Sequence, residues 1–112
     1  MASKSNISDI RKLLTTDEFD KFATVQLSIR SSRGADIATA TYSPTASAFT
    51  IYTYACGEPP LGYNVFNPAA FGDYAPEYSA MSPYAHFSAS EWRAALRDIQ
   101  EFGRLAREFA TR

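Results

Sequence analysis

The sequence predicts a single α+β domain in which helical segments at both ends of the chain flank a three-stranded antiparallel meander. Apolar residues recur at three- and four-residue spacing near both ends, whereas residues 24–55 alternate apolar and polar side chains. Residues 56–87 keep neither period, because proline and glycine interrupt every attempt at a long element. A chain of 112 residues with 46% apolar residues has the size and composition of one globular domain.

The first 23 residues are predicted to be helical from residue 7 onward. Thr15 and Glu18 form a capping box, in which the threonine hydroxyl accepts a hydrogen bond from a free backbone N–H and the glutamate reaches back. The box predicts a second short helix after Leu14, and one kinked helix is the alternative. The apolar residues at helical spacing are Ile7, Ile10, Leu13, Leu14, Phe19, Phe22 and Ala23.

Three strands are predicted within residues 24–55, at 24–30, 35–43 and 48–55. Turn residues separate them, with "SSRG" at 31–34 and Pro44 in "SPTAS". These short connections favour antiparallel neighbours, since parallel pairing needs a long crossover. In the third strand, alternation puts Phe49, Ile51 and Thr53 on one face and Thr50, Tyr52 and Tyr54 on the other.

Residues 56–87 are predicted to be an irregular, aromatic, proline-rich segment packed against the sheet. Short helical turns fit at 68–72 and 77–81. The phenylalanines of the segment, together with Leu61 and Val65, are expected to seal the sheet, because so many aromatic residues disfavour disorder.

The C-terminal helix is predicted over residues 88–110. Ser88 and Glu91 form a second capping box. An apolar stripe follows, and we expect it to cover one face of the sheet. The helix residues expected in this contact are Trp92, Leu96, Ile99 and Phe102, against Val25, Leu27, Ile29, Phe49 and Ile51.

The net charge of −1 conceals an uneven distribution along the chain. Residues 1–33 and 93–112 each carry +2, whereas the stretch between Arg33 and Arg93 contains no lysine or arginine and carries −5. Phosphate binding draws on lysine and arginine, so this middle stretch is a poor nucleic-acid surface and favours a basic partner. The N-terminus lacks a long apolar run, which indicates a cytoplasmic protein with no membrane contact.

No catalytic or cofactor motif is recognisable, and the sequence therefore predicts a non-enzymatic protein without cofactor or metal. Cys56 and His86 could form a nucleophilic pair only if the fold brought them together, and a lone cysteine is more often a small buried hydrophobe. A metal site would need His86 with Asp73 and Glu77, but no second histidine exists to strengthen it.

The irregular segment supplies the favoured functional hypothesis. We expect its tyrosines to lie on the surface beside its acids, since tyrosine is favoured in protein interfaces and acids steer a basic partner. The protein would then be an inhibitor or adaptor on a larger protein, such as a phage- or plasmid-type inhibitor of a nucleic-acid-handling host defence complex. A homodimer is an alternative that would bury the same tyrosines. The predicted partner-binding residues are Tyr63, Asp73, Tyr74, Glu77, Tyr78 and Tyr84.

The alternative is a nucleic-acid-binding accessory domain that uses one face of the C-terminal helix. Arg93, Arg97, Arg104 and Arg107 lie on that face. Glu101 and Glu108 follow Arg97 and Arg104 at four-residue spacing, so much of this charge is expected to be paired locally.

Overall fold

Strands form where apolar and polar residues alternate, and helices form where the apolar spacing lengthens. The computed structural model describes residues 3–4, 6–16, 24–54, 62–80 and 86–112. The elements in chain order are β1 (Ser3–Lys4), α1 (Ile7–Leu14), β2 (Val25–Arg30), β3 (Asp36–Ser43), β4 (Ala48–Thr53), β5 (Tyr63–Phe66), two short 3-10 helices (Pro68–Ala70 and Tyr78–Ala80) and α2 (Ala89–Ala110).

The sheet has one more antiparallel strand than the sequence predicts. Its order is β1-β2-β3-β4-β5; β2 to β5 are antiparallel neighbours, and β1 pairs parallel with β2 over two residues. Strand β5 shows no recognisable period in the sequence because its four residues lie in a segment interrupted by proline and glycine. The 3-10 helices lie inside the predicted stretches 68–72 and 77–81.

A β-bulge adjusts the β2–β3 pairing and adds a side chain to the core. Ile29 pairs with Ala38, but Arg30 pairs with Asp36, so Ile37 is an extra residue on β3. Both Ile37 and Ala38 are buried. Two consecutive buried residues break strict alternation, and the bulge is what permits this.

Helix α2 covers one face of the sheet, as the sequence predicts. Ser88 caps its N-terminus in the predicted box, with the Ser88 hydroxyl accepting from the Glu91 N–H and the Glu91 carboxylate accepting from the Ser88 N–H. The Phe102 ring meets the Phe49 ring edge-on, with their centroids 5.0 Å apart. The expected contact residues are all buried except Leu96 and Ile29, which are half-buried against the same core.

Helix α1 ends at Leu14 and packs beside α2. Arg11 forms an ion pair with Glu101 of α2 at 3.1 Å. The Thr15 hydroxyl donates to the Arg11 carbonyl oxygen at 2.7 Å, so Thr15 closes α1. Glu18, the other half of the box predicted there, lies outside the described residues, as does any second helix.

A notch in α2 receives an aromatic ring from the irregular segment. A Cβ added at Gly103 would fall under 3.0 Å from three carbons of the Phe71 ring. The Phe71 ring also contacts those of Phe49 and Phe66, at 5.0 and 5.2 Å between centroids. Glycine at 103 therefore lets Phe71 pack directly on the helix backbone.

Candidate protein-interaction surface

Residues 71–76 run along α2 in the opposite direction and are held by three side chains of the helix. Arg107 donates to the Phe71 carbonyl at 3.0 Å, Gln100 to the Tyr74 carbonyl at 2.8 Å, and the indole N–H of Trp92 to the Pro76 carbonyl at 2.9 Å. The irregular backbone lacks ladder partners of its own, and these donors satisfy three of its carbonyl oxygens.

Two of the tyrosines predicted to lie on the surface pack inward. Tyr74 is only 8% exposed, its ring lies 5.8 Å from that of Phe66, and its hydroxyl has no hydrogen-bond partner. Burial raises the pKa of Tyr74 to about 12. Tyr78 is half-buried, and its hydroxyl donates to the Phe87 carbonyl at 2.7 Å. The expected exposure of Tyr74 is wrong because its ring packs against Phe66 of β5, and Tyr78 is only partly exposed because its ring packs against Phe87.

The remaining predicted residues of the partner surface are exposed where they are described. Asp73 and Glu77 are both exposed, and Tyr63 is 55% exposed. Tyr84 lies outside the described residues. Phe71 and Phe87 are buried in the core, as predicted, whereas Val65 is not: it is 59% exposed, because β5 directs Val65 and Tyr63 away from α2.

The sheet surface opposite α2 carries an aromatic patch, which we call the open face: Tyr52, Tyr54, Tyr63 and Val65. The Tyr52 ring lies 4.9 Å from that of Tyr54 and 6.3 Å from that of Tyr63, between centroids. Tyr54 also shares a hydrogen bond with the Thr39 hydroxyl at 3.1 Å. None of these side chains is charged. The face is an apolar and aromatic surface on a regular, hydrogen-bonded support.

Sequence reasoning placed Tyr52 and Tyr54 on one face of their strand but assigned them no role. Their exposure follows from the alternation along β4, because the intervening residues Ile51 and Thr53 are buried. Alternation along one strand does not predict which residues of other strands lie beside these tyrosines. Tyr63 is part of the patch because β5 pairs with β4 and places Tyr63 opposite Tyr52.

The arginine face of α2 is less available than its sequence pattern indicates. Arg104 forms ion pairs with Glu101 and with Glu108, the latter at 2.8 Å. Arg107 is committed to the Phe71 carbonyl. The predicted Arg104–Glu108 pair is confirmed, whereas the Glu101 pairs recorded are with Arg104 and Arg11 rather than with Arg97.

A cleft beside α2 brings opposite charges together. It is lined by Asp73 and Glu101 on the acidic side and by Arg104 and Arg107 on the basic side. The formal charges balance, so the cleft attracts neither anions nor cations strongly.

The residues considered for catalysis do not form a site in the part of the chain that is described. His86 is exposed and lines a cleft with Arg33 and Glu91, while Cys56 lies outside the described residues. Within those same residues, no three histidine, cysteine, aspartate or glutamate side chains are arranged to hold a metal ion.

Glu91 links the start of α2 to the β2–β3 turn. Its carboxylate accepts from the Ser32 N–H at 2.9 Å and from the Ser88 N–H at 3.0 Å. These two backbone hydrogen bonds, that from Ser32 first, lower the pKa of Glu91 below its ordinary value of 4.5. The carboxylate is thus a structural ligand of two N–H groups.

None of the helices resolved in the described ranges combines the length and hydropathy that a bilayer crossing requires. No family model matches this chain, and neither the curated proteins nor the solved structures contain a significant match to it.

Proposed function

We propose that the protein is a non-enzymatic protein-binding domain, an inhibitor or adaptor, whose main contact surface is the open face. The observation that carries the proposal is the group of exposed tyrosines in mutual contact, Tyr52, Tyr54 and Tyr63, on a regular sheet. An exposed aromatic cluster of this kind is typical of interaction sites rather than of ordinary surface.

The physical basis is the large contact area of tyrosine at a low cost in conformational entropy. Each ring has two side-chain torsions to fix, and its hydroxyl can find a hydrogen bond in a wet interface. Here the support is ordered before binding, because Tyr52 lies in β4 between two hydrogen-bonded neighbours. Because the strand is ordered before binding, association costs less conformational entropy.

The exposed acids Asp73 and Glu77 supply the electrostatic part of the proposal. The segment that bears them contains no lysine or arginine, and neither does any part of the chain between Arg33 and Arg93. Helix α2 brings Arg104 and Arg107 to the cleft that Asp73 lines and Arg93 to the cleft that Glu77 lines. These acids would therefore steer a basic partner only weakly, and binding would weaken only slightly with salt. A nucleic-acid-handling host defence complex is the partner class that we infer from the size and charge of the chain, as for a phage- or plasmid-type inhibitor.

The competing function, nucleic-acid binding by α2, would depend mainly on Arg93 and Arg97. Both are exposed and make no ion pair among those recorded, whereas Arg104 is doubly paired. Two cations outside these ion pairs give a small counterion effect compared with a surface that tracks a phosphate backbone. This leaves protein binding as the better-supported function.

The test begins with capture of partners from the native host and continues with the purified partner. A Tyr52→Ser/Tyr63→Ser variant should weaken binding by roughly 30-fold, the effect of losing an interface hot spot. The control is Thr41→Ala, which alters a half-buried side chain on the adjacent strand β3 and should leave affinity unchanged.

A second variant, Asp73→Ala/Glu77→Ala, should slow association and flatten the salt dependence. Tyr74 is left intact in both variants because its ring belongs to the core. Unchanged affinity in both variants would refute the proposal. DNA or RNA binding that is lost only in Arg93→Ala/Arg97→Ala would instead favour the nucleic-acid function.

A further inference from the structure

Strand β5 forms one edge of the sheet. It pairs with β4 on one side, and within the described ranges no other backbone group bonds to it. Its sequence, Tyr-Asn-Val-Phe, has no charge and no proline. Natural proteins usually blunt such edges with lysine, proline or a bulge, because an unpaired strand edge is a template for another strand.

The pairing with β4 determines which backbone groups of β5 point outward. The Thr53 N–H donates to the Gly62 carbonyl at 3.0 Å, so these two residues are a hydrogen-bonded pair. Hydrogen-bonded and non-hydrogen-bonded pairs alternate along an antiparallel ladder. Asn64 therefore bonds to β4, whereas the N–H and C=O groups of Tyr63 and Val65 point away from the sheet.

From this geometry we infer that two copies of the chain pair through β5, antiparallel and about a two-fold axis at Asn64. In this register Tyr63 of one copy is opposite Val65 of the other, and each such pair exchanges two hydrogen bonds. It is the register that uses every outward-facing backbone group of β5 itself. The sheets of the two copies become one continuous sheet.

The side chains suit this register on both surfaces of the sheet. On the open face an aromatic ring meets a β-branched side chain, Tyr63 against Val65, which is a favourable cross-strand pair. On the other surface the two Asn64 amides face each other at the axis. The Asn64 amide nitrogen is buried and has no partner within one copy, so a side-chain rotation must turn it outward before each amide can donate to the other.

Charge does not oppose a second copy at this edge. No charged side chain lies on β5, so a two-fold contact places no like charges together. Strand pairing also occurs in the plane of the sheet, whereas Tyr52 and Tyr63 project from the open face. The dimer therefore leaves Tyr52 and Tyr54 accessible and places Tyr63 and Val65 beside the contact between copies, and its failure would not affect the proposed function.

Sedimentation equilibrium of the full chain tests the inference directly. We expect a mass that rises from 12.4 kDa toward twice that value with concentration. Hydrogen exchange provides a second readout without mutation. The amides of Tyr63 and Val65 should become protected as concentration rises, while those of Asn64 and Phe66 are protected throughout.

Val65→Pro removes an outward N–H without touching the β4 ladder, and proline is tolerated on edge strands. It should raise the dimer dissociation constant by about tenfold or more, since two of the four hydrogen bonds are lost. Val65→Thr keeps the N–H and should remain dimeric. A chain that stays monomeric into the millimolar range would overturn the inference, and so would a dimer broken by Tyr52→Ala but not by Val65→Pro.

Discussion

Along β4, Ile51 is fully buried beneath α2, whereas its neighbour Tyr52 is 42% exposed on the opposite surface of the same strand. The covered face is closed by aliphatic and phenylalanine side chains. The open face presents three tyrosines and a valine. Both faces are apolar enough to be buried, yet α2 covers only one of them.

The difference shows how the chain separates stability from recognition. The covered face contributes through burial of apolar area, about 25 cal/mol for each Å² removed from water. The open face contributes little to folding and keeps its aromatic surface for contact. Substitutions on the two faces should therefore have separable effects on stability and on binding.

The largest expected effect comes from paired substitutions in β4. Ile51→Ala should lower the free energy of unfolding by about 2–5 kcal/mol, because it leaves a cavity under α2. Tyr52→Ala, one residue along, should cost about 1 kcal/mol or less, the value of a cross-strand pair. Urea unfolding measures both. Similar losses at the two positions would show that the open face is also packed in solution.

The next effect concerns the notch that holds Phe71 against α2. Gly103→Ala should lower the free energy of unfolding by roughly 2 kcal/mol, because overpacking against the buried ring outweighs the higher helix preference of alanine. Gly72→Ala is the matched control, since an added Cβ there meets nothing within 4 Å. A neutral or stabilising Gly103→Ala would mean that Phe71 can move aside.

Removing the hydroxyl group from each of the two inward-facing tyrosines should change the free energy of unfolding by amounts that differ by about 1 kcal/mol. Tyr78→Phe should destabilise the protein by that amount, because it removes a hydrogen bond to the Phe87 carbonyl. Tyr74→Phe should be neutral or slightly stabilising, since the hydroxyl it removes is buried and makes no hydrogen bond. Thermal unfolding of the two variants side by side checks the contrast, and the reverse order would contradict it.

The pH dependence of Glu91 should give the smallest effect. Its pKa is lowered in the folded state, so its contribution is fully present above the unfolded value of 4.5 and is lost as pH falls through the folded value. The melting temperature of the wild type should exceed that of Glu91→Gln at neutral pH. The gap should close below pH 4.5. A constant gap over this range would show that the carboxylate charge does not matter.

Sequence periodicity was sufficient for the elements that are regular over six or more residues. Val25–Arg30, Asp36–Ser43, Ala48–Thr53 and Ala89–Ala110 lie close to their predicted bounds. The Ser88–Glu91 box was recognisable because both partners lie within one turn. The four residues of β5 were too few to show a period.

The candidate surface was only partly predictable, for a different reason. Whether Tyr74 faces water depends on Gln100, which lies 26 residues away and holds the Tyr74 carbonyl against α2. No local pattern carries such information. Tyr63 was predicted to bind a partner because it lies in the aromatic segment 56–87. Its contact with Tyr52 depends on the pairing of β4 with β5, and β5 was not predicted.

The hydrogen bonds of Arg107 and Gln100 also limit the length of the segment between the two carbonyls that they hold. Seven residues of helix separate them, a rise of about 10.5 Å, and the three residues from Phe71 to Tyr74 can span at most about 10–11 Å when fully extended. The extended reach of these three residues is therefore about equal to the helix rise between their two donors. A one-residue deletion between Phe71 and Tyr74 would shorten that reach to about 7 Å and draw one of the two carbonyls away from its donor, whereas an insertion could loop outward.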